Sequence, residues 1–176
     1  MEQVIQLNSQ AKLSEHFTLG ELTKTCHSVY NIPSHEAIEN LKRVCTWLEY
    51  LRKRYNELIH STPGPSSREE GRTVPIIINS GYRSPQLNRK VGGSPTSNHL
   101  TGCAVDIRVS GIEQALRYAV ILLDYADESK QDFDELLLEK RSASPLGSSK
   151  NQHGAIWLHF AVRPKDNRRK ILFINA

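Results

Sequence analysis

Ile38, Leu41, Val44, Cys45, Leu48, Leu51, Tyr55 and Leu58 recur at steps of mostly three and four, which predicts one face of a long amphipathic helix. Pro33 and Ser34 stand where that helix begins, with Ser34 as its N-cap. Upstream, Phe17, Leu19 and Leu22 punctuate the polar run HFTLGELTKT and predict a short helix or turn packed on the core. The period then changes. Val74 to Ile78 is an unbroken apolar run closed by Asn79, Ser80 and Gly81, the pattern of a central strand buried on both faces. In GCAVDIRVS the apolar side chains Cys103, Val105, Ile107 and Val109 alternate with Ala104, Asp106 and Arg108, so Asp106 lies on a strand and faces away from the apolar side. Ile112, Leu116, Ala119 and Leu123 restore helical spacing, and FDELLLEK, AIWLHFAV and KILFINA each read as strands.

Between these elements lie three polar stretches. Residues 61–72 combine proline, glycine, serine and charge and read as a surface loop rather than a domain boundary. GYRSPQLNRKVGGSPTSNHL holds too much glycine, proline and serine for regular structure and is expected to be a long loop over one edge. Residues 141–154 form a second such loop. The expected fold is α+β over one domain, residues 1–176, with helices on one side of a mainly antiparallel sheet and a cleft beneath the long loops.

Composition narrows the classes. A hydrophobic fraction of 38% and a charged fraction of 24% are those of a globular chain. No run approaches the roughly 20 apolar residues of a spanning helix, and MEQVIQLNSQ lacks the basic then apolar pattern of an export signal. Synthesis in the cytoplasm and no membrane partner are therefore expected. Cys26, Cys45 and Cys103 show no paired spacing, and each reads as a small buried apolar residue. The net charge of +4 and pI near 9.0 are spread along the chain without a nucleic-acid motif, so nucleic acid is not an expected partner and a monomer is.

A catalytic zinc ion takes three protein ligands from His and Asp or Glu and keeps one position for water. His99, Asp106 and His159 could form that set. Gly102 and Ala104 precede Asp106 on its face and leave room for a metal, while His159 alternates with Trp157 and Ala161 on its own strand. From spacing alone, a hydrogen-bonded histidine and a solvated aspartate stand beside the metal reading.

GYRSPQLN, SPTSNHLTGCAVDI and WLHF resemble the zinc peptidases of the D-alanyl-D-alanine carboxypeptidase family, whose signature is S-x-H-x-x-G-x-A-x-D followed by W-x-H. The likeness is strongest to short single-domain forms from bacteria and prophages and runs from HFTLGELTKT to RPKDNRRKILFI. It implies one zinc ion held by His99, Asp106 and His159, and Arg83 binding a substrate carboxylate or the developing oxyanion. A planar, permanently charged fork suits either role. Ser97 is expected to orient the histidine loop. Relatives often carry the catalytic acid three positions before the last histidine, where this chain has Ile156. Glu139, ending FDELLLE as an acid does in related short proteins, is then the candidate base, and Asp134 a cap or brace. His153 and Trp157 are placed on the substrate side, His153 lining the loop or stabilising the transition state and Trp157 walling the pocket. The implied substrate is the peptide stem of bacterial peptidoglycan, cut at a terminal D-alanine or an internal bond. The enzyme would act at the cell wall after release of the phage type. The alternative is a zinc-binding structural or interaction module of the same fold without turnover.

Overall fold

Ser34 starts the longest helix by satisfying its first free backbone donors: the Oγ accepts from Ala37 N at 3.1 Å and the carbonyl from Ile38 N at 3.0 Å. That helix belongs to a computed structural model describing residues 8–61, 73–141 and 155–175. In chain order the elements are α1 Leu19–Thr23, α2 His35–Ser61, β1 Ile78–Ser80, α3 Pro85–Lys90, a 3₁₀ turn at Asn98–Thr101, β2 Ala104–Arg108, α4 Ile112–Ser129, β3 Glu135–Arg141, β4 Ala155–Ala161 and β5 Lys170–Asn175. Helix α2 buries Leu41, Val44, Cys45, Leu48 and Leu51 on the face its periodicity predicts, together with Trp47. Trp47 packs edge-on against Tyr125 of α4 at 4.7 Å and tilted against Phe160 of β4 at 5.2 Å, so one side chain joins both helices to the sheet.

The fold is α+β, and its sheet is mixed. Its order is β1-β2-β4-β3-β5; β2 and β4, β3 and β4, and β1 and β2 are antiparallel, while β3 and β5 run parallel. The mainly antiparallel expectation missed the parallel edge, because KILFIN returns to β3 after a crossover that no local pattern announces. Val105, Ile107, Leu136, Leu138, Leu158 and Phe160 point toward α2 and α4 and join their core. The opposite face carries Asp106, His159 and Glu139, as the pairings Asp106↔His159 and Glu139↔Trp157 require.

Four further expectations are corrected. The run Val74 to Ile78 is not a central strand: only Ile78 enters β1, which is an edge, and Ile76 and Ile78 are buried while Ile77 is 42% exposed. Inside the expected glycine- and proline-rich loop lie α3 and the 3₁₀ turn, because Pro85 occupies the first helical turn, where a missing N–H costs nothing, and Ser84 Oγ caps it from Leu87 N at 3.3 Å. Helix α4 buries Ala115, Tyr118, Ile121, Leu122 and Ala126, one stripe round from the predicted face, leaving Ile112 and Leu116 exposed. Cys26 is exposed rather than buried, whereas Cys45 and Cys103 are buried. The expected loop at 61–72, after Ser61, and that at 141–154, after Arg141, lie outside the described residues. Among those described, no helix is long and apolar enough to cross a membrane.

Candidate metal centre

The first histidine is placed by backbone before any side chain meets it. Gly102 closes the 3₁₀ turn in the left-handed region, φ 73°, and a Cβ there would stand 2.3 Å from the carbonyl oxygen of Ala37 in α2. Only glycine lets the turn sit so tightly on the helix. Ser97 Oγ accepts from His99 N at 3.3 Å, and Arg83 N donates to His99 O at 3.0 Å, tying the turn to the GYRS segment. Ser97 thus orients the histidine turn, as expected.

His99 Nδ1 lies 2.6 Å from the carbonyl oxygen of Gly81. A carbonyl only accepts, so Nδ1 carries the proton and Nε2 presents a lone pair. Burial lowers the pKa of His99 and outweighs the pull of Asp106, which keeps the ring neutral. That Nε2 is 3.2 Å from Asp106 Oδ1, and His159 Nδ1 is 2.9 Å from the same oxygen. Burial opposes ionisation of Asp106, yet the two imidazoles hold its carboxyl far below the usual range. For His159 burial opposes the charged form, but the hydrogen bond to Asp106 and the Glu135 carboxylate 3.6 Å from Nε2 win and push the imidazole up to about 9.

One nitrogen or oxygen from each of His99, Asp106 and His159 lies within 4.8 Å of the others, and all three residues are buried. This donor set of two imidazoles and one carboxylate fits a catalytic zinc ion, with a fourth position left for water or substrate. The outer contacts fit as well. Gly81 O fixes His99, Arg83 Nη2 donates to Asp106 Oδ2, and Glu135 Oε2 stands 3.6 Å from His159 Nε2. Two larger clefts, of about 630 and 760 Å³, lie along α2 and contain none of the three ligands.

The centre opens into a cleft of about 500 Å³ lined by Arg83, His99, Asp106, Glu139, Trp157 and His159, with Gly92 and Gly93 also in its lining. The fold therefore brings together six of the seven predicted site residues. His153, the seventh, lies outside the described residues. Arg83 Nε donates to Ser80 Oγ at 2.8 Å and Nη2 to Asp106, while Nη1 has no partner among the described residues. Glu139 is half-buried, its carboxylate makes no hydrogen bond or ion pair with a described residue, and burial raises its pKa despite the nearby His159 and Arg83. Trp157 stands beside it on β4 with the Arg141 guanidinium 5.7 Å above its ring, a wall of the cleft rather than part of the core.

Ile156 shares its strand face with Leu158 and Phe160 and packs against the hydrophobic core. An acid at that position would point away from the cleft and into the core. Asp134 braces β3 from full burial: Arg163 Nη2 lies 2.7 Å from its Oδ1, Arg168 donates to it through Nε and Nη2, and Asn98 Nδ2 donates at 2.7 Å. Glu135 was missed by the sequence reading. Its signal was available, since Glu135 and Glu139 are an even number of residues apart on one strand and must share a face.

The sequence model of the family described as Peptidase M15 matches residues 67–124, which span Arg83, His99 and Asp106 but not Glu139 or His159. No curated protein matches the chain. The match supports a zinc peptidase over the segment that holds His99 and Asp106, and the fold brings His159 beside them by pairing β4 with β2.

Proposed function

We propose that the chain is a zinc-dependent peptidase that cleaves the peptide stems of bacterial peptidoglycan, at a terminal D-alanine or an internal stem bond. The observation that carries the reading is the convergence of His99, Asp106 and His159 in a cleft that also holds a half-buried Glu139, unpaired among the described residues. A zinc ion held there would lower the pKa of a bound water to about 7 and polarise a scissile carbonyl.

The chain's own groups account for the remaining steps. Glu139 accepts the proton of the attacking water on its carboxylate and delivers it to the leaving amine, a role suited to a carboxyl raised by burial and without a cation fixed on it among the described residues. Arg83 offers Nη1 to a substrate carboxylate or the developing oxyanion while its other donors hold Ser80 and Asp106. Trp157 supplies an apolar wall against which a stem peptide lies. The substrate assignment rests on the resemblance of GYRS, SNHLTGCAVD and WLHF to the carboxypeptidase family.

The test is Glu139→Gln. Cleavage of muropeptides should fall by about 10²- to 10⁴-fold with zinc content unchanged. Wild-type protein that binds zinc and turns over no wall peptide would establish the non-catalytic module instead.

A further inference from the structure

We propose that Glu135 is the positioning residue for His159, aiming Nδ1 rather than Nε2 at the metal; the inference rests on the zinc reading of the site. A histidine on a strand can present either nitrogen, and a ring flip would put Cδ2 where Nδ1 stands and Cε1 where Nε2 stands. Here Nδ1 meets Asp106 Oδ1 at 2.9 Å while Nε2 looks along the sheet to Glu135 Oε2 at 3.6 Å.

Glu135 is itself held from several sides. Asn98 Nδ2 donates to Oε2 at 3.0 Å, and Arg168 and Lys170 approach Oε1 at 2.9 and 3.5 Å. Asn98 is the chain neighbour of His99 and also donates to Asp134, so one amide couples the first histidine's turn to the strand that orients the second. The Glu135 carboxylate can only accept, and Nε2–H is the donor left facing it. A flipped ring would set Cδ2 against Asp106 and Cε1 toward Glu135, so both polar contacts would be lost and Nδ1 would leave Asp106.

The experiment combines metal affinity with a spectroscopic readout. Zinc affinity is measured by chelator competition for wild type, Glu135→Ala, Glu135→Gln and Lys170→Ala, and the ligating nitrogens by ¹⁵N–¹¹³Cd coupling in cadmium-loaded wild-type protein. Glu135→Ala should weaken zinc binding by about 10- to 100-fold. Glu135→Gln, which keeps an acceptor oxygen, should stay within a few-fold of wild type, and Lys170→Ala should match it, since it removes only a neighbour of Glu135. Coupling should appear at Nδ1 of His159. Coupling at Nε2 of His159 overturns the proposal whether or not any variant folds, as does unchanged affinity in folded Glu135→Ala. Failure of wild type to bind either metal would overturn the zinc reading itself, an outcome visible without the variants.

Discussion

Glu139 is half-buried with no cation fixed on its carboxylate among the described residues, and that sets the pH dependence of its proposed role. Burial raises its pKa above the ordinary 4.5, and a general base works only when deprotonated. The acid limb of kcat/KM should therefore lie above that value, with the rate falling as pH drops through the raised pKa, and Glu139→Gln should remove the limb along with most of the activity. A limb unchanged in the residual activity of Glu139→Gln would assign it to another group. Arg83 differs because two of its donors are already engaged. Arg83→Lys keeps the charge but not the fork, so it should lower kcat/KM by about 10-fold or more, as measured by steady-state kinetics on soluble muropeptides.

At the scale of elements, the turn at Asn98–Thr101 depends on Gly102, whose φ of 73° and 2.3 Å Cβ approach to Ala37 O leave no room for a side chain. Gly102→Ala should cost about 1–3 kcal/mol and loosen His99. Gly92 has the same φ of 73° but open space around it, so Gly92→Ala should cost only about 1 kcal/mol. Thermal unfolding of the two variants separates strain from clash. The elements also show what local pattern can and cannot carry. The α2 face was legible because its apolar stripe is narrow and its other face is charged. In α4 apolar residues occupy two adjacent stripes, and only packing against Trp47 and Tyr55 decides that Tyr118 and Leu122 are inside while Ile112 and Leu116 stay out. Val74 to Ile78 misled because edge and central strands share an apolar composition and differ in what lies beside them. The members of the candidate metal centre could be singled out because SNHLTGCAVD and WLHF resemble a family signature; spacing alone left a hydrogen-bonded histidine and a solvated aspartate open. Glu135 could not be, because its meaning comes from a histidine on another strand.

Across the whole molecule, the sheet keeps its core and its chemistry on opposite faces, and Asp134 helps hold the site face to the chain leading into β5. Burial would raise its carboxyl, but Arg168, Asn98 and Arg163 hold it down at about 2 from the usual 3.8. A folded-state pKa below the unfolded one stabilises above the unfolded value and is lost as pH falls through the folded value. Stability should therefore decline between about pH 4 and pH 2 by roughly 1–2 kcal/mol on account of Asp134, and Asp134→Asn should show less of that decline in urea unfolding curves. At pH 7 the same variant should be less stable by about 3 kcal/mol, since it leaves Arg163 and Arg168 without their carboxylate. The central claim, that His99, Asp106 and His159 form a metal centre that cuts wall peptides, is tested most directly by mass spectrometry. Zinc-loaded protein is incubated with purified sacculi and soluble muropeptides beside a His159→Ala control. A product present only with wild type is the predicted result, and its mass names the bond. Zinc retained by wild type with no product from any substrate would contradict the account.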